Sequence, residues 1–169
     1  VLVACFAVAS FAFVQRPALA DDAALAARLQ KLEDREEIRS LLIAYGRALD
    51  QRDFAAFAGL FAKTEGEWVG GFGSAKGQAA IRDLMEKMIG SNTTGAVPTS
   101  FHVLSNEDID VQGDRASSVT KWIFVRQSAD GKPEWVFLGH YDDTFVRENG
   151  RWRFLRREAF TDIPVQRAQ

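Results

Sequence analysis

The sequence predicts an α+β fold, with helices packed on one face of a curled, mostly antiparallel sheet. Three observations predict it. Up to Ile89 the apolar residues recur at spacings of three, four and seven, the period of amphipathic helices. From Ser100 the period changes to two, as in strands with one buried face. Turn signals at Gln112-Gly113-Asp114, Ala129-Asp130-Gly131-Lys132 and Glu148-Asn149-Gly150 divide this second half into a four-stranded meander.

The chain opens on Val1 to Val14, an apolar run shorter than the roughly 20 residues of a membrane span. Ala18-Leu19-Ala20 follows, then Asp21-Asp22, so residues 1–20 read as a secretory signal peptide cleaved after Ala20. The expectation is a periplasmic or secreted domain, residues 21–169, with no stable membrane span. A buried N-terminal helix or an uncleaved anchor is the alternative. Leu2-Val3-Ala4-Cys5 matches a lipoprotein box in outline, but apolar sequence follows it where a lipidated cysteine has a polar tether. Cys5 is the only cysteine. Residues 21–169 therefore have no disulfide, thiol nucleophile or cysteine metal site. Their 20 basic residues against 23 acidic ones give a net charge of −3 and no basic track, so nucleic acid is not an expected partner.

Asp22 to Leu49 is the first predicted helix. Leu25, Leu29, Leu32, Ile38, Leu41, Leu42, Tyr45 and Leu49 form its apolar stripe, and the charged run from Lys31 to Arg39 its solvated face. Gln51-Arg52-Asp53 breaks it, and Asp53 caps a second helix, Phe54 to Phe61. Glu67 to Val69 is a short strand. Gly70-Gly71-Phe72-Gly73 is a turn without the spacing of a phosphate loop. Gly77 opens a third helix to about Ile89, striped by Ile81, Leu84, Met85 and Met88, and Ser91 to Thr99 is a connecting loop. The strands are then Phe101 to Val111, Ala116 to Gln127, Glu134 to Arg147 and Arg151 to Phe160.

The chain has two histidines, His102 and His140. A neutral imidazole is the natural proton shuttle near pH 7, and a carboxylate on its far nitrogen fixes the tautomer. Asp50 is a candidate partner, and Tyr45 a candidate to hold a substrate oxygen. The two lie five residues apart, about 140° around a regular helix, and converge only if the helix ends or loosens near Leu49. His102, Leu104 and Asn106 share one face of their strand. Either Tyr141 with Asp143, or His140 with Asp142, lines the pocket. Each has a bland alternative: a core histidine, a core tyrosine, a helix-end Asp50, and cross-strand ion pairs for Asp142, Asp143, Arg156 and Arg157. No HxH, HExxH or GxSxG spacing supports a metal site or an acyl-enzyme nucleophile.

Several segments carry a resemblance: Ile38-x-x-Leu-Leu-x-x-Tyr45-x-x-x-x-Asp50-x-x-Asp53-Phe54, Phe101-His102-x-x-x-Asn106, Gly139-His140-Tyr141-Asp142-Asp143, and Arg151-Trp152-Arg153 followed by Arg156-Arg157. In that order they resemble SnoaL-like proteins of the NTF2-like superfamily. The resemblance implies a cone: a bent sheet of four or more strands wrapped around about three helices, leaving an apolar pocket. It implies cofactor-free chemistry in the style of the scytalone dehydratase and dehydrohalogenase branch, or a ligand-binding module, and a homodimer through the open sheet face. By matched position, Asp50 and His102 resemble that branch's proton-abstracting dyad. Tyr45 resembles its Tyr or Lys, and Arg157, or its neighbour Arg156, the arginine that stabilises a leaving anion. Asn106, Tyr141 and Trp122 are the expected substrate-binding residues. His140 has no secure counterpart. The implied reaction is a lyase or isomerase acting on a small, largely apolar organic molecule.

Overall fold

The computed structural model describes residues 16–90 and 99–164, with side chains from residue 21 onward. The first 15 residues of the expected signal peptide, Cys5, and the loop through Pro98 lie outside the described residues. Three helices, α1 (Arg16–Gln51), α2 (Phe54–Gly59) and α3 (Gln78–Ile89), accompany six strands. These are β1 (Glu67–Gly70), β2 (Gly73–Lys76), β3 (Ser100–Gln112), β4 (Arg115–Gln127), β5 (Pro133–Glu148) and β6 (Arg151–Ile163). They form one sheet in the order β2-β1-β6-β5-β4-β3. The α+β architecture and the four-stranded meander are as the periodicity predicts.

Two features of the sheet carried no signal. Gly73–Lys76 pairs back on β1 as a hairpin, and β1 joins the meander by a parallel pairing to β6, with Trp68 opposite Arg157. Register shifts interrupt the ladders between Ser105 and Asp108, at Phe124/Val125, at Leu138/Gly139 and at Thr144/Phe145. Bulges of this kind bend strands and increase their twist, which curls the sheet around the helices.

Helix α1 lies across β3 and reaches β6. Ile38, Leu42 and Tyr45 on it meet Phe57 and Phe61 after it, and Phe145, Trp152 and Phe154 on the sheet. Gly46 permits the close approach, since a Cβ there would stand 3.1 Å from Leu104 Cδ1. Asp53 caps α2 as expected, accepting from the Ala56 N–H at 3.0 Å.

Two expectations for α1 are corrected. Leu25, Leu29 and Leu32 belong to its apolar stripe by spacing, yet all are more than half exposed. Burial on α1 starts only at Asp34, so these leucines stand on a stretch of helix that nothing described covers. Conversely, the charged run is not wholly solvated. The buried Asp34 carboxylate accepts from Arg147 Nη2 at 2.6 Å, Gln30 Nε2 at 3.1 Å and Trp152 Nε1 at 3.3 Å. Burial raises its pKa, but the hydrogen bonds from Arg147, Gln30 and Trp152 outweigh burial and hold it below the ordinary carboxylate value. Glu37 accepts from the Trp152 backbone N–H, and Arg39 pairs with Glu107. These ties dock the helix on the sheet.

Candidate active site

The ladder pairings decide which strand face looks at the helices. His102 stands opposite Phe124, Leu104 opposite Trp122, Trp122 opposite Gly139, Thr120 opposite Tyr141, and Asp143 opposite Arg157. All of these share the inner face, so Tyr141 and Asp143 face inward while His140 and Asp142 face outward. There His140 Nδ1 meets Asp162 Oδ1 at 2.8 Å and its ring stacks on Phe160. The two histidines lie on opposite faces of the sheet and cannot share a metal ion.

Asp50 and His102 are brought together. His102 Nδ1 lies 2.7 Å from Asp50 Oδ1, and the His102 backbone N–H donates to Oδ2 at 3.0 Å and Oδ1 at 3.1 Å. Both side chains are 17% exposed, so the pair sits at the rim of the core rather than in it. Among the described residues, His102 Nε2 has no partner. The ring packs against Phe124 and Trp122, at 4.9 and 6.1 Å between centroids. Asp50 stands in the last turn of α1, where the helix dipole disfavours a carboxylate and where there is no basic side chain. Its place is therefore not explained by helix stability; the His102 N–H and imidazole supply its compensation.

Tyr45 and Asp50 do not converge. The helix runs on through Gln51, so the 140° between them persists and Tyr45 points into the core. Its hydroxyl accepts from Trp68 Nε1 at 3.1 Å. Its ring packs on Phe57 and Tyr141. Burial raises the phenol pKa of Tyr45, and that of Tyr141 well above the usual tyrosine value. Both remain neutral hydroxyls at physiological pH.

Arg157 is wholly buried behind the tyrosines. Its Nε and Nη2 donate to the two Asp143 oxygens at 2.7 and 2.6 Å, and its Cζ stands 3.9 Å from the Tyr45 ring centroid and 4.1 Å from that of Tyr141. Burial works against its charge, but Asp143 more than offsets this and raises the guanidinium pKa. Arg157 thus lies behind Tyr45 and does not reach the dyad. Arg156 turns outward and pairs with Glu67 and Glu158.

Of the expected binding residues, Tyr141 and Trp122 join the inner group, stacked with centroids 5.7 Å apart. Asn106 does not. It lies in the β3 bulge with a left-handed φ of 54° and an exposed side chain, because the bulge breaks the alternation that would have aligned it with His102. Three participants escaped notice in the sequence: Phe124 beside His102, Thr120 opposite Tyr141, and Trp68 as the donor to Tyr45. Trp68 had a signal in Gly70, where a Cβ would lie 2.6 Å from the indole. A groove of about 330 Å³ is lined by Asp108, Asp142 and Arg156 and touches Ser118 and Asp143 behind Arg157, but neither His102 nor Asp50 lines it.

A curled sheet closed over helices, with an Asp–His pair at the rim and phenols beneath, defines a protein of the NTF2-like, cystatin-like fold. The chain belongs to the SnoaL-like domain family, whose profile matches residues 30–158. An uncharacterized protein of Mycobacterium tuberculosis is 31% identical over 129 residues, covering 75% of this chain and 84% of its own. An NTF2-like protein of Novosphingobium aromaticivorans superposes with a TM-score of 0.71 at 32% identity, covering 83% of this chain and 90% of that one. A putative scytalone dehydratase from the same organism gives a TM-score of 0.64 at 26% identity, covering 82% and 97%. LinA gives 0.66 at 21% identity, covering 84% and 98%, a likeness of fold alone. No helix among the described residues is long and apolar enough to cross a membrane.

Proposed function

We propose that the protein is a cofactor-free lyase or isomerase in which His102 removes a proton from a carbon of a small, largely apolar molecule. The observation that carries this reading is the 2.7 Å contact between His102 Nδ1 and Asp50, which leaves Nε2 to act as base. Asp50 holds the imidazole by a second contact through the backbone N–H and stabilises the imidazolium that forms. The electron pair of the broken C–H bond becomes the new double bond. In an elimination, a leaving oxygen on the adjacent carbon departs with a proton returned by the imidazolium; in an isomerisation, that proton returns to another carbon. Tyr45 and Arg157 do not reach the dyad; packed on Tyr141, they are positioning residues that hold the inner wall beneath it. The similarity to a putative scytalone dehydratase supports the elimination form.

The test is turnover of a panel of β-hydroxy ketones by wild type, His102→Ala and Asp50→Ala. A general base contributes roughly 10²- to 10⁴-fold, so His102→Ala loses at least about 10²-fold in rate. Turnover unchanged in both variants sinks the reading.

A second reading, an exported ligand-binding or dimerisation module, is favoured by the outer sheet face. Phe101, Val103, Trp135 and Ile163 are 53, 40, 66 and 57% exposed there. We propose that a second copy covers this face. Sedimentation would show a dimer that Trp135→Asp dissociates; a monomer at micromolar concentration refutes it. Export with cleavage after Ala20 is likewise a proposal, tested by N-terminal sequencing of the protein recovered from outside the cytoplasm.

A further inference from the structure

Among the described residues, three buried polar atoms on the inner face have no hydrogen-bond partner: Trp122 Nε1, Thr120 Oγ1 and Arg157 Nη1. They surround one ring. Trp122 stacks on Tyr141, Thr120 stands opposite it in the ladder, and Arg157 lies over its face. Buried polar groups are nearly always paired, so three orphans around one side chain mark a place where something else completes the bonding. Two of the three are donors only, since an indole N–H and a guanidinium cannot accept. The Arg157 guanidinium lies against three ring faces, which leaves the Trp122 indole N–H as the donor that calls for an acceptor.

Trp122 is the orphan nearest the dyad. Its ring is within 6.1 Å of His102, centroid to centroid, and nine-tenths buried. Gly139, opposite it on β5, keeps it there: a Cβ at Gly139 would stand 2.5 Å from Trp122 Cζ2 and 2.6 Å from Cε2, the carbon bonded to Nε1. The indole thus covers the bare backbone at Gly139, which fixes the position of its N–H.

We propose that Trp122 is a specificity-determining residue whose indole N–H donates to a carbonyl or other acceptor oxygen on the ligand, so that the site selects oxygenated ring compounds over hydrocarbons and halocarbons of the same shape. The proposal rests on the reading of this face as the ligand site and deepens it. A ligand without an acceptor leaves the indole N–H buried and unpaired, which is the situation in which polar sites discriminate most strongly.

The test uses 1-indanone and indane, a ketone and a hydrocarbon of matched shape, titrated into the ¹⁵N-labelled protein. The readout is the four tryptophan indole N–H signals, with Trp122 assigned by its loss in Trp122→Phe. The ketone moves the Trp122 signal downfield and binds about tenfold tighter than indane, the factor expected of one net hydrogen bond. Trp122→Phe removes that advantage and leaves indane affinity within about twofold. Equal binding of the two probes, binding of neither, or ketone binding that leaves every indole signal in place overturns the proposal. The last outcomes need only the wild-type protein, so they decide the matter even if Trp122→Phe does not fold. The result is also separable from the catalytic reading. Asp50→Ala abolishes the dyad but leaves the ketone's effect on Trp122, so either can fail while the other stands.

Discussion

Replacing Asp143 by Asn removes one charge, keeps the shape, and strands a cation in the core. Arg157 and Asp143 are both 0% exposed, and the pair is bidentate, with Ser118 Oγ donating to the same carboxylate at 3.2 Å. Breaking such a pair on one side costs about 3–5 kcal/mol, because the remaining charge is buried without a partner. The faces of Tyr45, Tyr141 and Phe154, within 3.9 to 4.3 Å of the guanidinium, already stabilise the cation in the wild type and survive the change, so they do not lessen the loss. For a domain of this size each kcal/mol moves the melting temperature by about 2–4 °C, so Asp143→Asn melts about 6–20 °C lower. Replacing both partners by apolar residues, Asp143→Leu with Arg157→Met, recovers most of that loss, since a buried ion pair costs much of what it returns. Thermal unfolding followed by circular dichroism reads both. A single variant that melts within about 2 °C of wild type, on the same scale, refutes the view that this pair is a sealed, mutually dependent unit.

Two further predictions concern α1 and α2. Asp34 is held below its ordinary pKa, so its contribution to stability is present above the unfolded value of 3.8 and is lost as pH falls through the folded one. The stability gap between wild type and Asp34→Asn is therefore widest near neutrality and closes below about pH 4; a gap that stays constant in urea titrations from about pH 7 to pH 3 contradicts this. Asp53→Ala removes the only side-chain cap of α2 and costs about 1 kcal/mol, a drop of about 2–4 °C, with no change in ketone binding.

The meander was legible because period-two alternation and three turn signals repeat over more than fifty residues, and its observed strands differ from the expected ones by at most three residues. The choice between Arg156 and Arg157 was not legible. Counted back from the Glu148↔Arg151 pair, an unbroken ladder puts Asp143 opposite Arg156. The register shift at Thr144/Phe145 moves it to Arg157 and so decides which arginine is buried. A bulge of one residue leaves no local mark in sequence. Asp34 was hidden for another reason: its partners Arg147 and Trp152 lie more than a hundred residues away, and a charged run on a helix looks solvated until the sheet supplies them. Asp50 and His102 are 52 residues apart, and no spacing rule links a helix end to a strand start. Residue chemistry made Asp50 a candidate partner, and the resemblance to a known family matched it to His102. Strand alternation aligned Asn106 with His102, and the bulge in β3 turns it away.

Proton abstraction by His102 requires that Asp50 hold Nδ1 so that Nε2 is the basic nitrogen. Long-range ¹H–¹⁵N correlation of the imidazole, at a pH where it is neutral, reads the tautomer directly. The prediction is a protonated Nδ1 and a pyridine-like Nε2 in the wild type, the tautomer that free histidine disfavours, reverting in Asp50→Ala. A wild-type His102 protonated on Nε2, or a tautomer indifferent to Asp50, would contradict the dyad and with it the proposed proton abstraction.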